Sequence, residues 1–285
     1  MTAKPTGYWR KVPALCAAGA LLLSAAALHA SDLAVVVSYD SGPYGEAYAA
    51  FRAALSPGIP ADYYDASKPG FTPPEDTRYA VAFGARAAAM DYPPGTHLVY
   101  ALAPVNARAR GWHEISMLPP PAEAIEAYKG LQPGLRRLAV FWAAYPGEQY
   151  IHELEEAGVI AGVEIISVKL KSPDSFPERL RRLMGKIDAF WLMPDPVLIT
   201  RNSLMVLAGF SCANFIPFYA PTHALVQSGA TASFAPGFAE AGIAAAKAIT
   251  GIYKGKPQLP VTYPERSILR VNTELAPKCR WPINK

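Results

Sequence analysis

From residue 33 onward, short and continuously apolar runs alternate with stretches of helical period, and this alternation constrains the chain more than any other feature. The apolar runs are Leu33–Tyr39, Ala61–Tyr64, Tyr79–Phe83, His97–Leu102, Leu138–Trp142, Val163–Val168, Ala189–Met193, Ile216–Tyr219 and Thr231–Phe234. Strands that are apolar throughout are buried on both faces. Alternation with helices therefore predicts an α/β fold with doubly wound parallel sheets. Helices are expected over Glu46–Leu55, around Ile125 to Leu131, around Ile151 and Leu154, over Leu198–Asn214 and over Phe238–Tyr253; Phe176, Leu180, Leu183, Met184 and Ile187 fall on one helical face. Lys68–Asp76 reads as a Pro/Gly loop. So many strands in one sheet would be unusual, and Pro119–Pro121 interrupts the chain near its middle, so two lobes are predicted. Hydrophobic residues make up 51% of the chain, enough for a full core, while 28 prolines exclude coiled coils and long helical repeats.

The formal charge of +4 depends on the first residues. Lys4, Arg10 and Lys11 precede an apolar stretch, Val12–Leu28, that exits at His29-Ala30-Ser31. This is the pattern of a secretory signal peptide over 1–30, cut after Ala30. No later segment approaches the roughly 20 apolar residues of a membrane span. Without residues 1–30 the chain is nearly neutral, and nothing in it points to nucleic acid. Export would expose Cys212 and Cys279 to oxidising conditions. A disulfide between them, or one buried and one free thiol, both remain open.

Motifs for chemistry are thin. There is no GxGxxG and no phosphate-binding loop. Gly209-Phe-Ser211-Cys-Ala213 lacks the last glycine of a nucleophile elbow and lies inside a predicted helix. His152-Glu153 has no second histidine at metal-binding spacing, and no cofactor is implied. Ligands of open α/β sheets sit beyond the carboxyl ends of the strands. Those ends carry Tyr39, Asp40, Ser41 and Tyr44; Gly84 and Arg86; Trp142, Tyr145 and Glu148; Pro194 and Asp195; and Tyr219 and Phe234. The set is aromatic and proline-rich with few titratable groups, which suits binding better than catalysis.

Three stretches in the second half together resemble a known family: Ile187-Asp188-Ala-Phe-Trp-Leu-Met-Pro194-Asp195, Asn214-Phe-Ile-Pro217-Phe-Tyr-Ala220 and Gly229-Ala230-Thr-Ala-Ser233-Phe. The likeness continues through Gly242–Lys247, Gly255-Lys256-Pro257 and Leu269–Asn272, and covers about 132–276. The chain is similar to ABC transporter substrate-binding proteins of the tryptophan/tyrosine type. The resemblance implies a type I periplasmic-binding fold, with two lobes joined by three crossovers, holding a small ligand between them for an ABC permease in the inner membrane. Lobe one is then expected at 32–116 plus 236–258, and lobe two at 117–235 plus 259–285. Glu148 and Asp195 are the expected polar anchors, with Arg86 available to a carboxylate. Tyr44, Trp142, Tyr145, Tyr219 and Phe234 are the expected walls. Where the family usually offers hydroxyl or amide groups, this chain has Ala85, Ala87, Ala143 and Ala144, which favours an aromatic or apolar solute. A monomer located in the periplasm and without catalysis is expected; the alternative is a sensing protein of the same fold that reports to a receptor.

Overall fold

The structure is a computed structural model that describes residues 1–3, 31–105 and 112–284. The expected signal peptide lies outside the described residues except for its first three. Ser31–Lys285 forms one compact unit.

The chain begins with β1 (Leu33–Val37), α1 (Gly42–Ala54), β2 (Ala61–Asp65), β3 (Tyr79–Phe83), α2 (Ala85–Ala88), β4 (His97–Ala101) and β5 (His113–Ile115). It then crosses to α3 (Pro121–Leu131), β6 (Arg137–Trp142), α4 (Glu148–Ala161), β7 (Glu164–Lys169), α5 (Phe176–Leu183), β8 (Ala189–Leu192), α6 (Arg201–Asn214), β9 (Phe218–Ala220), α7 (His223–Gln227) and β10 (Ala232–Pro236). It returns through α8 (Phe238–Tyr253) and β11 (Val261–Thr262), and crosses a third time to β12 (Ser267–Val271) and α9 (Leu275–Cys279). The strands form two six-stranded sheets, in the orders β11-β5-β4-β3-β1-β2 and β12-β10-β9-β8-β6-β7. Every pair is parallel except β10 with β12. The architecture is therefore two parallel-dominated α/β lobes with three crossovers, as the sequence predicts.

Burial on both faces explains the continuous apolar runs. Val35 and Val37 of β1 pack with Phe51 of α1 and Ala245 and Ile249 of α8, while Ala34 and Val36 pack on the other face with Ala80, Ala82 and Tyr100. In the second sheet Leu138, Val140 and Trp191 meet Tyr128, Tyr150 and Leu154 of α3 and α4; Phe141, Phe190 and Phe218 meet Phe176, Leu180 and Leu207 of α5 and α6. Phe190 and Phe218 stack with centroids 5.1 Å apart. Each such ring removed from water stabilises by about 2–3 kcal/mol. Helices α1 and α8 come together at Gly242, where a Cβ would lie 2.0 Å from the carbonyl oxygen of Ala47, so only glycine allows this contact. Helix α6 starts at a capping box: the Ser203 N–H donates to Thr200 Oγ1 and the Thr200 N–H to Ser203 Oγ.

Two details differ from the sequence-based expectation, and a third was left open by it. The helix expected to run to Ile187 stops at Leu183; Gly185 takes φ +74° and Ile187 is buried in the following loop. Strands β5 and β12 were not expected. Nor was β11, and Val261–Thr262, expected in the second lobe, pairs instead with Glu114 and Ile115 at the edge of the first sheet. Cys212 of α6 and Cys279 of α9 form a disulfide, Cα–Cα 4.5 Å, that ties the tail to the second lobe.

Candidate ligand-binding cleft

All three crossovers leave from carboxyl ends of strands: after Ile115 of β5, after Pro236 of β10, and after Thr262 of β11 into Ser267, which is opposite Pro236. The carboxyl edges of the two sheets are thereby turned toward each other across the hinge, the arrangement that places a ligand site between the lobes.

On the first lobe, the β1 end projects Tyr39, which is 49% exposed, with Asp40 and Ser41 exposed beside it. Tyr44, in the first turn of α1, has its ring 6.2 Å from that of Tyr39, and the Arg86 guanidinium lies over Tyr39 at 5.9 Å. Burial, then the neighbouring Tyr39, pushes the Tyr44 phenol up. Gly84 makes this assembly possible. Its φ is +96°, and a Cβ there would lie 2.4 Å from Ser38 Oγ and 2.6 Å from the Tyr44 ring. Ser38 Oγ in turn accepts from the Ala87 N–H at 3.0 Å, which fixes the turn into α2. Asp40 accepts from the Tyr63 hydroxyl at 2.6 Å, so one of its oxygens is held by its own lobe.

The second lobe is built differently. Asp195 is fully buried; its Oδ2 accepts from the N–H groups of Ala143, Ala144 and Tyr145 at 3.1, 2.6 and 2.9 Å, and its Oδ1 accepts from Val197 at 2.9 Å. The expected ligand anchor is thus a clamp on the β6–α4 loop, with its carboxylate satisfied by backbone. Pro194 is buried next to it. Tyr219 is also not a wall: it stacks on Tyr128 at 4.0 Å inside the lobe and donates to Gln132 Oε1 at 2.7 Å. Phe234 is half-buried against the same core. Trp142 is buried and donates from Nε1 to Ser167 Oγ at 2.9 Å. Lys169 caps its ring at 4.4 Å and pairs with Glu148 at 3.0 Å, so Glu148 has a cation of its own lobe as partner. At its strand ends this lobe exposes Ala144, Pro196 and Val197, with Ala143 half-exposed, and beside them the Lys169–Glu148 pair.

Tyr145 reaches across the junction and donates to Glu114 Oε1 of β5 at 2.9 Å, while Tyr100 donates to Oε2 at 3.3 Å. Glu114 is buried, and burial, then Glu114 itself, holds the Tyr145 phenol well above its ordinary value. The Tyr145–Pro146 peptide is cis. His113 bonds Thr262 Oγ1 at 2.9 Å next to this tie. Sequence reasoning missed Glu114, whose signal is a carboxylate in a short buried strand, and Lys169, whose signal is its place at the carboxyl end of β7. Among the described residues no three His, Cys, Asp or Glu side chains come together to hold a metal ion, and no helix is long and apolar enough to cross a membrane.

Known proteins share this fold. The chain superimposes on the ABC domain in complex with L-Trp from Streptococcus pneumonia with a TM-score of 0.59 and 16% identity, covering 88% of this chain and 94% of that one. A ligand-free, open substrate binding protein with adhesive properties from Clostridium difficile gives 0.61 and 14%, covering 87% and 94%. A conserved domain protein from Vibrio cholerae gives 0.58 and 16%, covering 90% and 97%. At these identities the likeness is one of fold. No curated protein is matched by the sequence. A family model, ABC transporter substrate binding protein, matches residues 115–279, more than half of the chain and all of the second sheet. The chain belongs to the ABC transporter substrate binding protein family.

Proposed function

We propose that this protein is exported, binds a small aromatic or apolar solute between its lobes and delivers it as a monomer to an ABC permease in the inner membrane. The observations that support the ligand class are the exposed Tyr39 ring, backed by Tyr44 and Arg86 at the carboxyl end of the first sheet, and the exposed Ala144 and Val197, with Ala143 half-exposed, at that of the second. A flat solute buried against such surfaces gains ~25 cal/mol per Å², or about 5–7 kcal/mol for ~200–300 Å², before the cost of ordering. Arg86 and the free oxygen of Asp40 stand beside Tyr39 as partners for a polar head group. The L-Trp in the Streptococcus pneumonia structure supports this ligand class.

The test is calorimetry of the protein with tryptophan, an indole acid, a monoacyl lipid, alanine and glucose. The aromatic or lipid compounds are expected to bind best, with a negative heat-capacity change. Tight binding of alanine alone would overturn the ligand class. The N-terminus of protein recovered from the periplasm is expected at Ser31, and a chain still beginning at Met1 would remove the signal peptide from the reading.

A further inference from the structure

The edge of the second sheet carries a basic groove that the ligand cleft does not use. Strand β7 pairs with β6 over its whole length and lies at the end of the strand order. The Glu164 and Leu170 N–H groups donate to Arg136 and Trp142 oxygens, so alternate residues point inward and the backbone groups of Ile165, Ser167 and Lys169 point away from the sheet. Beside this edge is a concavity of about 330 Å³ bounded by α5. Ile166 and Leu183 supply its apolar floor and Arg179 and Arg182 its rim, while the Lys169 ammonium is turned to the opposite face, over Trp142 and against Glu148. Arg182 contacts Glu178 and Lys169 contacts Glu148, whereas Arg179 makes no ion pair among the described residues. Arg181 and Lys171 are also exposed nearby on α5 and on the loop before it. The corresponding edge of the first sheet, β2, carries Asp62 and Asp65 and has the opposite charge.

We propose that this edge docks an extended acidic segment of a partner protein by strand addition. The free N–H and C=O groups of Ile165, Ser167 and Lys169 continue the ladder, which supplies affinity without sequence preference. Acidic side chains on one face of the added strand meet Arg179 and Arg182 on the α5 side, and the apolar ones on its other face extend the cover over Ile165 on the α4 side. The docking surface lies on the outer edge of the lobe, so it is independent of the solute site.

The probe is a short, end-blocked, fluorescent peptide of alternating Val and Glu, with the Val–Lys peptide as control. Anisotropy is expected to show saturable binding of the Val–Glu peptide only, weakening as salt is raised. Amide exchange is expected to slow at Ile165, Ser167 and Lys169. The double variant Arg179→Glu/Arg182→Glu is expected to weaken binding by roughly tenfold or more while leaving solute binding in the cleft unchanged. Equal binding to the double variant, slowed exchange elsewhere, or no binding of the Val–Glu peptide would each overturn the proposal. Protection of these amides by phosphatidylglycerol vesicles but not by the peptide would assign the groove to lipid and overturn it as well.

Discussion

The strand ends of the first lobe turn their large side chains outward, while those of the second turn them inward. Tyr39, Asp40 and Arg86 stand in solvent at the ends of β1 and β3, supported from behind by Gly84, Ser38 and Tyr44. Trp142, Tyr145, Asp195 and Tyr219 occupy the matching places of the second lobe and are all buried. The inward set spends its polar atoms within the protein: Asp195 on backbone, Trp142 and Tyr219 on Ser167 and Gln132, and Tyr145 on Glu114 across the junction. The first lobe thus exposes aromatic and charged side chains at its strand ends, while the β6–α4 loop of the second is held by Asp195 through its backbone, with the exposed Lys169–Glu148 pair beside it. A rigid second face reduces the ordering cost of closure and leaves discrimination to the first.

The same contrast governs response to alkali, and here the largest effect is expected. Tyr128, Tyr145, Tyr150 and Tyr219 are buried in or at the edge of the second lobe, and desolvation raises each phenol above its ordinary value of 10. In the first lobe the phenols raised mainly by burial, Tyr44, Tyr63, Tyr64 and Tyr92, each keep part of their surface in solvent, and one tyrosine, Tyr100 of β4, is fully buried. A folded-state pKa above the unfolded one means the native state holds its proton more tightly. Its contribution is fully present below pH 10 and is lost as pH rises from there toward the folded value. Hydrogen exchange measured above pH 10 is expected to show β6, β8 and β9 losing protection before β1, β3 and β4. Loss in the reverse order would break the comparison.

Asp195→Ala is expected to rank next. It leaves four backbone N–H groups without their acceptor and opens the β6–α4 loop. A loss of about 3–5 kcal/mol in urea unfolding is expected, with reduced solute binding only as a consequence. A variant that unfolds like the parent but binds poorly would return Asp195 to the ligand. Replacing Cys212 and Cys279 by Ser removes a cross-link spanning 67 residues. A cost of about 2–4 kcal/mol is expected, confined to the second lobe and its tail. Equal exchange losses in the first sheet would show that the tail stabilises both lobes.

The two lobes differ also in how much of them was legible. The central strands could be read because burial on both faces leaves an uninterrupted apolar run. Three others could not, although the edge strands β2 and β7 could: β12 is half-exposed and carries Arg270, β11 has two residues, and β5 contains His113 and Glu114, whose partners Thr262 and Tyr145 are remote in sequence. Tyr39 and Arg86 are exposed as expected, because a strand end followed by a turn projects its side chains outward. Asp195 could not be placed the same way. Its four donors are backbone groups, three of them about fifty residues away, and backbone leaves no mark on the sequence. Tyr219 was misplaced for a simpler reason. It lies within β9, between Phe218 and Ala220, and the strand's alternation turns it toward Tyr128 and the core beneath α3.

The smallest expected effect on stability belongs to Tyr39→Ala, and it sharpens the comparison most. Tyr39 is nearly half exposed, and its neighbours Tyr44 and Arg86 are each placed by contacts that survive its loss, the first over Gly84 and the second on α2. Unfolding is expected to change by no more than ~0.5 kcal/mol, as for exposed positions generally. The ring is nevertheless the flat surface on which an aromatic solute would stack, a contact that contributes ~0.5–1.5 kcal/mol beyond area, and it aligns the Arg86 guanidinium above it. Binding of an aromatic solute is therefore expected to weaken by roughly tenfold at unchanged stability. Arg86→Ala, measured with a charged and an uncharged aromatic compound, separates the two contributions: the charged compound is expected to lose more. If Tyr39→Ala binds as the parent does, while Ala144→Asp in the second lobe abolishes binding, discrimination resides in the backbone-built face and the division of labour is reversed.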